Sequence, residues 1–153
     1  FTIHLPGTEK AIVDEHECPV EIKRGAETIL LVDDEAVVLG VSMELLESLG
    51  YRVYGVTSGQ EALALYQEKK DVIDLVILDM IMPGISGSET FDCLRKMNPG
   101  QAILLSSGYS IDGAAREILN RGCDGFLQKP FQLAQLALEV RSVLDKKLAG
   151  TKK

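Results

Sequence analysis

Thr28-Ile29-Leu30-Leu31-Val32-Asp33-Asp34-Glu35 is an unbroken apolar run that ends in three acids, and its reading decides the fold. A run of this length without a polar interruption suits a strand buried on both faces, as in a parallel sheet covered by helices. Two more runs share the design. Leu75-Val76-Ile77-Leu78 closes on Asp79, and Gly125-Phe126-Leu127-Gln128 closes on Lys129 and Pro130. A polar group that ends a buried strand projects from the carboxyl edge of the sheet, where open α/β sheets bind their ligands. Asp33, Asp34 and Asp79 crowded at that edge would repel one another unless a cation neutralises them. A site built only of carboxylate oxygens suits Mg²⁺. The expectation is an acidic metal pocket with one carboxylate free to take a phosphoryl group.

Working outward, strand and helix alternate five times from residue 27. Strands are expected at Thr28–Val32, Arg52–Thr57, Leu75–Asp79, Ala102–Ser106 and Gly125–Gln128, with helices near 35–49, 59–70, 87–97, 111–121 and 131–148. Val38, Val41, Leu45 and Leu49 recur at helical spacing and are assigned to the core face of the first helix; Leu133, Leu136, Val140 and Leu144 do the same in the last. Ser58 and Glu61 have the spacing of a capping box. Gly50, Gly100 and Gly122 fall where helices end in a left-handed residue. Five βα units joined by right-handed crossovers give an α/β fold: a doubly wound (βα)5 three-layer sandwich with parallel sheet order 2-1-3-4-5. That order puts Asp33/Asp34 and Asp79 on neighbouring strands, about 4.8 Å apart, with Lys129 two strands beyond.

The 153 residues make one domain's worth of chain, and 46% hydrophobic content is ample for a core. A net charge of -7 argues against a nucleic-acid surface. No apolar run reaches membrane-spanning length, so no membrane contact is expected. Cys18, Cys93 and Cys123 lack ligand-like spacing and read as reduced thiols of a cytoplasmic protein. His4 and His16 have no ligand neighbours and read as surface residues. Phe1–Pro6 alternates apolar and polar residues as an amphipathic strand would, and residues 7–26 read as an exposed linker. With Phe in first place and no signal peptide ahead of it, the chain looks cut from something longer.

Each signal has a plainer reading. Asp34 could cap the first helix, Lys129-Pro130 could be a strand exit with Pro opening a helix, Ser106 could be a turn former, and Phe126 could be core. Their coincidence at one sheet edge favours the chemical reading.

Val32-Asp33-Asp34-Glu35, the loop Asp79-Met80-Ile81-Met82-Pro83-Gly84-Ile85-Ser86-Gly87, Ser106-Ser107-Gly108 and Phe126-Leu127-Gln128-Lys129-Pro130-Phe131 together resemble a response-regulator receiver domain. The resemblance covers residues 27–148, with a tail at 149–153, and implies the flavodoxin-like version of the doubly wound fold. It implies that Asp79 accepts a phosphoryl group from phosphohistidine. Asp34, Asp79 and the backbone carbonyl of Ile81 would hold Mg²⁺, with Asp33 acting through water. Ser106 would bind a phosphoryl oxygen, Lys129 would pair with its charge, and Phe126 would be the aromatic switch. Ser106 and Phe126 replace the commoner threonine and tyrosine, which bears on switching and not on phosphoryl acceptance. Two residues after the acceptor and two after the hydroxyl, Ile81 and Gly108 offer no polar side chain to hold a water, which implies a long-lived acyl phosphate. Phe1–Pro6 resembles the last strand of a histidine-kinase ATP-binding domain. The expected parent is therefore a hybrid sensor histidine kinase, of a kind compatible with a membrane anchor elsewhere in the parent, with this receiver at its carboxyl end. The domain would be an autocatalytic phosphoacceptor, not a turnover enzyme.

The expected partners are a kinase's histidine-bearing dimerisation helices or a histidine phosphotransfer domain, docking on a first-helix patch of Val37 and Gly40 flanked by Leu39 and Met43. Two alternatives are a stand-alone single-domain response regulator and a Mg²⁺-dependent aspartyl-phosphate phosphohydrolase. The haloacid-dehalogenase type of phosphohydrolase has a second Asp two residues after its nucleophile on the first strand, where this chain has Glu35. A Rossmann nucleotide site would need a Gly-rich turn in place of Asp33-Asp34-Glu35-Ala36.

Overall fold

A computed structural model of the chain describes residues 24–108 and 113–151. The amphipathic segment Phe1–Pro6, residues 7–23 of the linker, Cys18, His4 and His16 lie outside them. The elements alternate as β1 (Thr28–Val32), α1 (Ala36–Ser48), β2 (Arg52–Val56), α2 (Gly59–Lys69), β3 (Leu75–Asp79), α3 (Gly87–Met97), β4 (Ala102–Ser107), α4 (Gly113–Asn120), β5 (Gly125–Gln128) and α5 (Leu133–Thr151). The sheet is parallel, in the order β2-β1-β3-β4-β5. This is the expected doubly wound, flavodoxin-like architecture.

The period-2 alternation of strand side chains divides the core in two. Ile29, Leu31, Leu75, Ile77, Leu104 and Leu127 pack with α1 and α5 on one face. Leu30, Val32, Val76, Leu78, Ile103 and Leu105 pack with α2, α3 and α4 on the other. Both faces of β1, β3 and β4 are therefore buried, which accounts for their unbroken apolar runs. Arg141 of α5 donates to Glu27, just before β1, over 2.8 Å, tying the first strand to the last helix.

Several local expectations need correction. The buried stripe of α1 is Leu39, Ser42 and Leu46, with Met43 and Leu45 packed partly against it; Leu49 is buried as expected, whereas Val41 is 53% exposed. Of the expected docking residues, Leu39 is thus buried and Met43 partly buried, whereas Val37 and Gly40 are exposed. The cause is Gly55 of β2. A Cβ there would lie 2.4 Å from Met43 Sδ and 3.3 Å from Leu39 Cδ1, so the bare glycine lets these two side chains settle on the sheet.

Ser58 accepts from the Glu61 N–H, but the Glu61 carboxylate returns to the N–H of Thr57 and not of Ser58. The reciprocal capping box is instead Ser86 with Glu89 at the start of α3. Gly50 and Gly122 have positive φ of 97° and 98°, but Gly100 does not, because α3 already ends at Met97 with Asn98 extended. Pro130 follows a cis peptide bond and opens no helix; α5 starts at Leu133 and continues through 149–151, which were expected to be tail. Among the described residues, no helix is long and apolar enough to cross a membrane.

Candidate functional site

The backbone bonding of the sheet extends past its strands. Asp33 N donates to Val56 O over 3.1 Å, Met80 N to Ser106 O over 3.0 Å, and Lys129 N to Ser107 O over 2.8 Å. The chemical side chains therefore stand on backbone held in register at the carboxyl edge. β1 pairs directly with β3, so Asp33 and Asp34 follow the strand beside the one that ends in Asp79. Asp79 is itself the register partner of Ser106.

One carboxylate oxygen from each of Asp33, Asp34 and Asp79 lies within 4.8 Å of the others. Asp33 and Asp79 are only 3% and 5% exposed, and Asp34 is half-buried. Asp34 does not cap α1. That position belongs to Glu35, whose N–H donates to Asp33 Oδ1 over 2.9 Å. The second Asp33 oxygen pairs with Lys129 Nζ, which also lies 3.5 Å from Asp79 Oδ2. Asp79 Oδ1 accepts from the Ile81 N–H over 3.3 Å.

Burial pushes the Asp79 carboxyl up to about 6; Lys129 opposes this, while the Asp33 charge and hydrogen bonding with Asp34 add to it. Three carboxylates against one ammonium leave an excess of negative charge in a buried place. An oxygen-only donor set with that excess fits a hard divalent cation such as Mg²⁺. The Ser106 hydroxyl is buried and makes no hydrogen bond among the described residues. Leaving such a donor unsatisfied costs on the order of 1–3 kcal/mol, so it is available to an oxyanion brought beside Asp79. Phe126 pairs with Leu105, one residue before Ser106, and packs half-buried against the α2–α4 side of the core.

The structure thus brings Asp33, Asp34, Asp79, Ser106 and Lys129 to one edge, with Ile81 in the following loop and its side chain 57% exposed. Beside this pocket runs a groove of about 460 Å³, lined by Val37, Val38, Val41 and Leu45 of α1 and by Pro130 and Phe131. Lys129 and Gly108 also line it, so the groove opens toward the acidic cluster. Of the patch expected on α1 the groove takes in Val37; Val38, Val41 and Leu45, expected on the core face, line it too, together with the Pro130-Phe131 wall. The available signal for that wall was the apolar pair directly following Lys129.

Comparison with known proteins agrees with this geometry. The family model for the response regulator receiver domain matches residues 29–141. Sensor kinase CckA of Brucella abortus is 39% identical over 122 residues, covering 80% of this chain and 13% of its own length. The transcriptional regulatory protein CpxR of Escherichia coli K12 is 36% identical over 117 residues, covering 76% of this chain and 48% of its own. The chain therefore spans less than half the length of either relative. A solved receiver-domain structure from Clostridium thermocellum superposes with a TM-score of 0.77 at 29% identity, covering 80% of this chain and 98% of that one. With a doubly wound sheet that collects acids, a serine and a lysine at its carboxyl edge, and a family match over most of its length, the chain belongs to the response regulator receiver domain family of two-component signalling.

Proposed function

We propose that Asp79 is the phosphoacceptor and that the phosphoryl donor is a phosphohistidine on a partner helix. The observation that carries this reading is the Asp79 carboxylate itself, buried among two further carboxylates, 3.5 Å from the Lys129 ammonium and paired in register with an unsatisfied Ser106 hydroxyl. An Asp79 oxygen forms the new bond to phosphorus as the bond from phosphorus to the donor imidazole nitrogen breaks, and the imidazole leaves neutral, keeping the proton already on its other ring nitrogen. Aspartate nucleophiles form acyl phosphates of this kind. Phosphoryl transfer depends more on positioning and charge neutralisation than on covalent help. Lys129 neutralises one phosphoryl oxygen and the Ser106 hydroxyl donates to another. Asp33 holds Lys129 in place beside the acceptor. Asp34, Asp79 and the Ile81 carbonyl would hold Mg²⁺, with Asp33 acting through water; the cation supplies the remaining neutralisation.

The partner is a histidine-bearing helix of a kinase or a phosphotransfer domain, lying in the groove between α1 and Pro130-Phe131. The likeness to sensor kinase CckA supports a hybrid kinase as the parent chain, and a phosphohistidine donor of that kind implies a cytoplasmic setting.

The test is incubation with acetyl phosphate and Mg²⁺ followed by intact-mass measurement. One phosphoryl mass should be gained by the parent and none by Asp79→Asn. Equal labelling of Asp79→Asn would refute the assignment.

A further inference from the structure

Gly87 starts α3 directly against the peptide that carries the acceptor. Its N–H donates to the Met80 carbonyl over 3.3 Å. A Cβ at this position would lie 2.4 Å from the Asp79 carbonyl oxygen, 2.6 Å from Met80 Cα and 2.9 Å from the Met80 carbonyl oxygen. All three are backbone atoms, so no side chain can swing aside to make room.

The helix is not free to yield. Ser86 and Glu89 close a capping box, with Glu89 N to Ser86 Oγ at 3.2 Å and Ser86 N to the Glu89 carboxylate at 2.9 Å. Fully buried Thr90 donates its hydroxyl to the Ser86 carbonyl over 2.8 Å, and Phe91 and Leu94 anchor the next turns in the core. On the other side the Met80 N–H is tied to β4. Any side chain at position 87 would therefore turn the peptide planes of Asp79-Met80-Ile81. Those planes fix the backbone on which the Asp79 carboxylate stands and the start of the loop that carries the Ile81 carbonyl.

We infer that Gly87 is a positioning residue for the phosphoacceptor: its missing side chain lets the start of α3 press on the Asp79-Met80 peptide and hold the metal-binding and acceptor oxygens in alignment. This rests on the reading of Asp79 as acceptor. Sub-ångström misplacement of reacting groups is costly to transfer chemistry.

Gly87→Ala is compared with Leu94→Ala, two turns along the same helix and fully buried. Both should lose stability. Only Gly87→Ala should weaken Mg²⁺ binding, by about tenfold or more, and slow labelling by acetyl phosphate to match, with Leu94→Ala within about twofold of the parent. Parent-like Mg²⁺ affinity in Gly87→Ala, or an equal loss in Leu94→Ala, overturns the inference. Should Gly87→Ala not fold, the parent supplies the readout. The Gly87 amide resonance should shift in step with Mg²⁺ occupancy, and a resonance that stays put while that of Ile81 moves overturns it too. A parent that neither binds Mg²⁺ nor takes a phosphoryl group instead refutes the acceptor reading itself.

Discussion

Ser106 stands opposite Asp79 across the β3–β4 pair, and its buried hydroxyl finds no hydrogen-bond partner among the described residues. The fold thus carries an unsatisfied donor next to the carboxylate at the centre of the site. Native proteins seldom leave such a group unpaired unless it has another use.

Ser106→Ala should therefore separate stability from chemistry. Removing an unsatisfied buried hydroxyl should leave the metal-free protein as stable as the parent, or more so by about 1 kcal/mol. The fraction phosphorylated at steady state should fall, and Ser106→Thr should restore it. Denaturant unfolding and phosphoprotein gels measure the two effects. A destabilised Ser106→Ala with normal labelling would show that the hydroxyl serves the fold.

Stability should also respond to pH through Asp79. Its carboxyl is raised from 3.8 to about 6 in the folded protein, chiefly by burial. The folded state holds that proton more tightly than the unfolded chain does. The associated stability is full below the ordinary carboxyl pKa and is lost as pH rises through about 6. Without metal, the parent should lose about 2 kcal/mol relative to Asp79→Asn between pH 4 and pH 7. Millimolar Mg²⁺ should offset this loss at pH 7 and have little effect below pH 5, where protons compete for the same oxygens. Asp34→Ala should blunt the metal response. Parallel pH curves for the parent and Asp79→Asn would refute the prediction.

Docking should depend on the exposed side of α1. Val37 is 79% exposed and lines the groove beside Lys129. Val37→Glu should slow transfer from a phosphohistidine donor by about tenfold, the effect of a charge facing an apolar partner surface, while acetyl phosphate labels it normally. Equal slowing with both donors would place the defect in the pocket and not on the docking face.

The acyl phosphate should be long-lived. Ile81 presents a hydrocarbon side chain that is 57% exposed, and Gly108 presents none, so neither can orient a water against the phosphoryl group. Ile81→Asn combined with Gly108→Glu should shorten the lifetime by about tenfold or more, within the range of a positioned general base. Decay of the labelled protein after donor removal measures it. An unchanged lifetime would mean that something other than these two positions controls hydrolysis.

The sheet and its reactive edge were legible in the sequence because the signals there are one-sided. Leu75–Leu78 is a short apolar run between Asp74 and Asp79, whose length and flanks suit a strand buried on both faces and so put Asp79 at the strand's end. Helix phase in α1 was not legible. Val37, Val38, Leu39 and Val41 surround the helix with apolar side chains, so two different stripes have helical spacing. The choice between them was made by Gly55, on a strand that follows α1 in the chain, where the missing side chain admits Leu39 and Met43. Gly87 was equally silent, because a close backbone approach has no periodicity. The neighbourhood of Asp79 is thus written locally, whereas the face that α1 leaves exposed depends on contacts between distant segments.

The tie between Glu27 and Arg141 has a mechanical meaning. Glu27 precedes the first strand, and α5 runs back along the sheet, so the path into the domain and the path out of it share one pole. Asp79 lies at the opposite pole, a strand length or about 16 Å away. Anything joined to either end of the domain is tethered from behind, as on a stalk, and leaves the acidic pocket facing outward. The Glu27–Arg141 ion pair joins those two paths at the pole far from the carboxylates, so a pull between such attachments would be borne away from the acidic pocket.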